Sequence, residues 1–131
     1  MRKFTYLNKT HFYRTIILTF IFILSLGGCS KYSDEVQANL TILKKTKACS
    51  GCDLSGVELI SFDLKGADLS GANLSGANLK RSDLTGANLT DTNLTDADLL
   101  GVNLTGATLT NTNLTGVKLS HSNINGAEIS G

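Results

Sequence analysis

Cys49 and Cys52 form a C-x-x-C pair in the segment Ala48-Cys49-Ser50-Gly51-Cys52. Such a pair can be a thiol–disulfide active site, half of a zinc site or a structural cross-link. The sequence holds no second cysteine pair to complete a zinc site, and His121 lies far along the chain. A thioredoxin-like pair would open a helix in a βαβ setting. These points favour a structural pair, with a redox pair and a metal site as alternatives.

The remaining residues predict neither catalysis nor nucleic-acid binding. The sequence has no Ser/His/Asp set and no His cluster, so we expect no enzyme activity, no cofactor and no metal site. Nine acidic and four basic side chains lie between residue 52 and the end of the sequence, a net charge of −5. A basic patch for nucleic acid is therefore not expected in this region.

The N-terminal segment has the layout of a secretory signal peptide. Four basic residues come first: Arg2, Lys3, Lys9 and Arg14. An apolar run over residues 16–26 follows and ends at two glycines. A membrane-spanning helix needs about 20 consecutive apolar residues, so the shorter run favours a signal peptide over a span.

The tetrad Leu26-Gly27-Gly28-Cys29 resembles the lipobox of bacterial lipoproteins. The resemblance implies removal of residues 1–28, a diacylglycerol on the Cys29 thiol and acylation of the new amino terminus. Several acyl chains anchor a protein stably, so we expect the membrane to be a partner through Cys29. An Asp directly after the lipidated Cys would resemble an inner-membrane retention signal, but Ser30 stands at that position. In a two-membrane host, Ser30 therefore favours the outer membrane, facing the periplasm. A chance Cys29 after an ordinary signal is the alternative.

Residues 29–48 are predicted to hold the lipid site, a short tether and one capping helix. Val36, Leu40 and Leu43 recur at helical spacing on one face. Asp34 with Gln37 fits a capping box in which Asp34 is the N-cap. The helix is therefore expected from Asp34 to Lys47, with its apolar stripe on the domain that follows.

A Leu or Ile recurs every five residues from Leu54 to Ile129, in sixteen units. The residue two positions before this Leu or Ile is small or apolar. The residue one position before it is Asp or Asn in twelve units. Period five matches neither a helix nor a flat strand. A chain that turns a corner every five residues would point each Leu inward, and Gly, Asn and Asp would supply the bends.

The phrases Ala67-Asp68-Leu69 and Ala87-Asn88-Leu89 resemble the A(D/N)LxG unit of the pentapeptide-repeat family. The resemblance implies an all-β solenoid, a right-handed, four-sided β-helix of about four coils over residues 49–131. Similar cysteines occur at this N-terminal junction in the family, so the resemblance also favours a structural role for Cys49 and Cys52, either as a disulfide or as buried thiols. A match between residues 85–104 and 105–124 supports twenty residues per coil.

Three functions remain open. We favour a lipid-anchored, non-catalytic scaffold or interaction module of the cell envelope, whose protein partner is unknown. Some members of the family resemble B-DNA and protect DNA gyrase in the cytoplasm, and the export signal argues against that alternative here. A thiol–disulfide protein that uses Cys49 and Cys52 is the third.

The last coil is expected to be an open end. The sequence stops at Gly131 directly after the sixteenth unit, so Val117, Leu119, Ile124 and Ile129 would be exposed beside unpaired backbone groups. Such an edge is a template for another chain. We therefore expect a weak homodimer through residues 112–131, with a monomer protected by Lys118, His121 and Glu128 as the alternative.

Overall fold

The computed structural model of the protein describes residues 31–131. Helix α1 (Asp34–Thr46) comes first, and a solenoid of five-residue units follows it. Two short strands, β1 (Thr108–Thr110) and β2 (Glu128–Ser130), pair in parallel with Leu109 opposite Ile129. The predicted signal peptide and Cys29 lie outside the described residues.

The units stack as a parallel β-helix, because each unit pairs with the unit twenty residues further on. Asp53 pairs with Asn73, Asn73 with Asn93 and Asn93 with Asn113, all in parallel. The other three sides of the solenoid have the same pattern of isolated bridges. Each side carries only a short extended segment, and among residues 31–131 the regular strands are β1 and β2. The solenoid fold predicted from the five-residue period is confirmed.

Columns of leucine fill the interior. The inward leucines from Leu54 to Leu104 are at most 1% exposed, and the residue two positions before them is also buried, except at the half-buried Cys52 and Phe62. Ser82 and Thr92 take that small position in two units, and both are 1% exposed. Their hydroxyls donate to the carbonyls of Leu79 and Leu69, at 2.6 and 2.8 Å, so the two buried polar groups are satisfied.

In the middle coils, a five-residue unit with Asp or Asn before its Leu has an acceptor for all five of its backbone N–H groups, as residues 67–71 illustrate. Ala67 donates backward across the turn to Leu64, at 3.0 Å. Asp68 donates to the preceding coil, and Leu69 and Gly71 donate to the following one, at 2.8–2.9 Å. The fifth N–H, of Ser70, donates to Oδ1 of Asp68 in its own unit, at 3.2 Å. The Asp or Asn that precedes the inward residue in twelve units therefore supplies the one acceptor that coil stacking leaves out.

Gly makes most of the bends, as predicted, but the Asp and Asn before Leu do not. The second residue after each Leu adopts positive φ, usually as Gly, for example 63° at Gly71. Arg81, Asp91 and His121 occupy the same corner position with φ of 57–61°. The Asp and Asn that precede Leu lie in the bridged segments instead. Their predicted role as bends was wrong, because their side chains are needed as backbone acceptors.

Helix α1 packs its apolar stripe on the first coil, where Val36, Leu40 and Leu43 join the same core as Leu54. Asn39 Nδ2 donates to the carbonyl of Asp53 at 2.9 Å and links the helix to that coil.

The ends of α1 differ from the prediction. Ser33 is the N-cap, and its hydroxyl accepts from the N–H of Val36 at 3.3 Å. The predicted capping box with Asp34 as the N-cap was wrong. With Ser33 as the N-cap, the third helical position is Val36, whose side chain cannot accept a hydrogen bond. Asp34 lies in the first turn, where a carboxylate complements the helix dipole. Lys47 ends the helix in the left-handed conformation, with φ of 53°.

Asn93 tests the role of the outward acceptor. Its Oδ1 accepts from the N–H and the hydroxyl of Thr95, at 3.1 and 2.6 Å, and its Nδ2 donates to Asn73. We expect Asn93→Ala to cost about 1–2 kcal/mol, because the N–H of Thr95 loses its partner. Asn93→Asp, which keeps Oδ1, should cost less. Thermal unfolding of both variants decides, and equal losses in Tm would contradict this role.

Candidate functional site

The structure brings together the two cysteines of the C-x-x-C segment. Cys49 and Cys52 are joined in a disulfide with a Cα–Cα distance of 5.3 Å. The bond lies between α1 and the first coil, and Sγ of Cys49 is 3.5 Å from the carbonyl oxygen of Asn39 in the helix. Cys49 is 2% exposed, whereas Cys52 is half-buried. The pair therefore lies at the point where the helix meets the solenoid.

Cys49 occupies a leucine position of the solenoid. Its N–H donates to the carbonyl of Asp68 at 2.8 Å, in the way that the N–H of Leu69 donates to Asn88 one coil later. The same register places Cys52 one coil before Ala72, at a small inward position. The disulfide thus joins the two positions that Leu69 and Ala72 occupy in the next coil. The sequence contained this signal, because Cys49 stands five residues before Leu54.

The surroundings of the disulfide favour a structural role over exchange chemistry. A redox cysteine attacks as an exposed thiolate, commonly stabilised at a helix N-terminus. Here the disulfide follows the C-terminal end of α1 and the more N-terminal sulfur is buried. Within residues 31–131 there is also no group of three or more His, Cys, Asp or Glu side chains that could hold a metal ion.

A short segment before α1 is held on the first coil. Lys31 Nζ lies 2.6 Å from the carboxylate of Glu58, and the Tyr32 hydroxyl accepts from the N–H of Glu58 at 3.0 Å. The hydrogen bond to the Glu58 carboxylate and the negative charge of that carboxylate raise the pKa of Lys31. An open groove beside this segment is lined by Lys31, Tyr32, Ser33, Val36, Asp53, Ser55 and Gly56. The ion pair and the hydrogen bond from the Glu58 backbone thus attach the chain to the first coil from Lys31, two residues after Cys29.

Ion pairs link successive coils on the outside of the solenoid. Lys65 lies 3.3 Å from Asp83, and Lys80 lies 3.0 Å from Asp98. The hydrogen bond from Lys80 lowers the pKa of Asp98. For Asp83, hydrogen bonds from the hydroxyl and the N–H of Thr85 lower the pKa first, and Lys65 adds to the effect. These carboxylates remain charged at neutral pH and act as acceptors, which is a structural role.

The C-terminal end exposes the bottom of the leucine columns. Leu119, Ile124 and Ile129 are 39, 50 and 57% exposed. In earlier coils the N–H at these positions donates to the next coil, as Leu99 does to Lys118 at 2.9 Å. The N–H groups of Leu119 and Ile124 have no such acceptor among residues 31–131. Apolar side chains and N–H groups without acceptors in the described residues therefore share one surface, which we call the C-terminal face (residues 112–131).

Within residues 31–131, no helix combines the length and the hydropathy needed to cross a membrane. Cys29, the predicted site of lipid attachment, lies outside the described residues.

Five-residue units with an inward Leu, stacked at a spacing of twenty residues, define a solenoid of pentapeptide repeats. A family model, described as pentapeptide repeats in eight copies, matches residues 49–86 and again residues 87–126. The chain belongs to the pentapeptide-repeat family.

Solved structures of pentapeptide repeat proteins are similar to this chain. One, from the thylakoid lumen of Arabidopsis thaliana, is 34% identical over 76% of this chain and 61% of its own, with a TM-score of 0.45. Another, from the cyanobacterium Cyanothece 51142, is 30% identical over 71% of this chain and 94% of its own, with a TM-score of 0.36. A third, from Nostoc PCC 7120, is 32% identical over 70% and 93%, with a TM-score of 0.40. No curated protein matches this chain.

Reduction of the disulfide tests its structural role. The bond closes a loop of only four residues, so chain entropy predicts a stabilisation of about 2 kcal/mol. We expect a thiol reductant to lower the Tm of the wild type modestly and to leave the Tm of the double variant Cys49→Ala/Cys52→Ala unchanged. A wild type that turns over a disulfide substrate rapidly would instead support the thiol–disulfide alternative.

Proposed function

We propose that the protein is a lipid-anchored, non-catalytic pentapeptide-repeat lipoprotein that acts as a scaffold or interaction module at the cell envelope. The observation that carries the proposal is the short distance between the predicted lipid on Cys29 and the folded domain. Lys31 and Tyr32 are already fixed to Glu58 on the first coil. Two residues span at most about 7 Å, so a lipid on Cys29 would hold the solenoid directly at the membrane surface.

The cysteines support the same proposal. Cys29 would carry the lipid, which leaves Cys49 and Cys52 as an even pair, joined in a disulfide. Disulfides persist in exported proteins and are rare in reducing compartments. An exported, lipid-anchored chain therefore accounts for every cysteine in the sequence. In a host with two membranes, Ser30 favours the outer membrane, facing the periplasm.

The proposed architecture is a right-handed, four-sided β-helix of about four coils, with α1 as its cap. Val36, Leu40 and Leu43 cover the first coil, and Asn39 donates to the carbonyl of Asp53 at 2.9 Å. Solenoids need a polar outer face on their terminal repeats. The outward residues of α1 include Asp34, Glu35, Lys44 and Lys45, which suits that role.

Cell fractionation tests the anchor. We expect wild-type protein in the membrane fraction with palmitate incorporated, because Cys29 is acylated. Cys29→Ala should lose the palmitate and leave that fraction. Ser30→Asp is the matched control: it keeps Cys29 and should stay acylated while moving to the inner membrane of a two-membrane host. Wild-type protein that stays cytoplasmic and without lipid would refute the proposal and favour the gyrase-protecting alternative.

The proposed partners are the membrane, an as yet unknown protein and a second copy of the chain. The C-terminal face presents Leu119, Ile124 and Ile129 beside backbone N–H groups that lack acceptors within residues 31–131. A second copy offers the same apolar residues and carbonyl groups in return, since two-fold interfaces are self-complementary. The face is small, so the dimer would be weak.

Light scattering tests this homodimer on an acyl-free chain that begins at Ser30. We expect the wild type to shift toward twice the monomer mass as its concentration rises. Ile129→Lys, which places a charge on the C-terminal face, should stay monomeric, with unchanged circular dichroism as the check on folding. A wild type that remains monomeric at high concentration would rule the homodimer out.

A further inference from the structure

One side of the solenoid differs from the other three in charge. It consists of residues 58–61, 78–81, 98–101 and 118–121, which we call the basic face. Parallel bridges join Glu58 to Asn78, Asn78 to Asp98 and Asp98 to Lys118, so these segments lie one above another. The stacking also brings Ile60, Lys80, Leu100 and Ser120 into one outward column, since the N–H of Ser61 donates to Lys80 and that of Arg81 to Leu100.

Basic residues are concentrated on this face and acidic residues on the others. Of the four basic residues between 52 and 131, three lie on the basic face: Lys80, Arg81 and Lys118. Of the nine acidic residues in the same range, only Glu58 and Asp98 do. The face therefore has a net charge of +1, and the other three sides together have seven acidic residues against Lys65, a net charge of −6.

Two further lysines extend the basic face at its N-terminal end. Lys31 is paired with Glu58, and Lys44 of α1 lies over the ring of Phe62, 6.0 Å from its centroid. Phe62 follows directly after the first segment of the face. With these two lysines the surface reaches a net charge of +3.

The basic face also carries the apolar residues that the solenoid points outward. Ile60 is 50% exposed, and Leu100 in the same column is half-buried. The corresponding outward positions on the other sides hold Ser, Thr, Lys or Asn, as at Ser75, Thr85 and Thr90. Exposed apolar residues ringed by basic side chains are typical of surfaces that lie in the headgroup region of a bilayer.

We propose that the basic face lies against anionic phospholipid headgroups, so that the solenoid rests along the membrane instead of standing upright on its anchor. The proposal rests on the lipid anchor proposed above. The tether reaches the solenoid on this same side, through Lys31 and Tyr32 on Glu58. Anionic lipid attracts Lys80, Arg81 and Lys118, and it repels the acidic sides, which turn toward solvent. The three acidic sides then remain free for a protein partner, as does the part of the C-terminal face outside residues 118–121.

Lysine labelling tests the orientation on acylated full-length protein in vesicles. Vesicles with 30% phosphatidylglycerol are compared with vesicles of phosphatidylcholine alone, and labelling by an amine reagent is read by mass spectrometry. Lys80 and Lys118 should be labelled about fivefold more slowly on the anionic vesicles, since each basic residue gains roughly fivefold in binding. Lys65 is the matched control, because it forms the same kind of ion pair as Lys80 but lies on another side.

Charge reversal adds a second test. Lys118→Glu should abolish the protection of Lys80 on anionic vesicles, whereas Lys65→Glu should preserve it. High salt should also remove the protection, because it screens headgroup charge. If Lys65, Lys80 and Lys118 are each labelled at the same rate on anionic and on neutral vesicles, the proposal is overturned. An acidic protein would then be the partner of this face. Protection that grows with protein density on neutral vesicles would overturn it in favour of a second copy.

Failure of the anchor can be told apart from failure of the docking. Absence of the lipid mass on Cys29 would refute the anchor alone. The secreted, lipid-free protein would then be floated with the same vesicles. Salt-sensitive flotation with phosphatidylglycerol would uphold the docking of the basic face, and no flotation would overturn it.

Discussion

Every backbone N–H of a five-residue unit must find an acceptor, and the rest of the structure depends on that requirement. Stacking and turns satisfy four of the five groups, as at Ala67, Asp68, Leu69 and Gly71. The fifth faces outward and is satisfied by the carboxylate or amide of the residue before Leu. A solenoid whose sides are each only a few residues long cannot rely on long strands, so this side-chain bond completes the pairing that a wide sheet would supply.

Burial of leucine then stabilises the stack, because each coil alone hides little surface. The interior is a set of columns from Leu54 to Leu104 at no more than 1% exposed, and the columns end at Leu119, Ile124 and Ile129 with 39–57% exposed. The two ends are therefore chemically different. One carries α1 and the disulfide, while the other presents apolar side chains and N–H groups that lack acceptors within residues 31–131.

Function follows from what this repetition leaves variable. Inward and corner positions are constrained by packing and by positive φ, so differences between units appear outside. Those differences separate a basic face, which holds Lys80, Arg81 and Lys118, from three acidic sides. The disulfide of Cys49 and Cys52 belongs to the constrained part, since it takes a leucine and a small-residue position of the first coil. Chemically distinct sides are what the proposed role as a scaffold would use.

The sequence alone determined the solenoid, its inward leucines and its twenty-residue coil, because a period of five residues is local and tolerates no other packing. The lipid site at Cys29, and the roles that follow from it, remain predictions. The tertiary structure decided which side chains meet. Three findings depend on backbone geometry at single residues. They are the bond from Ser70 to Asp68, the N-cap at Ser33 in place of Asp34, and the position of Cys49 in a leucine column. The separation of charge between sides needed the coils to stack, since residues twenty apart become neighbours only then.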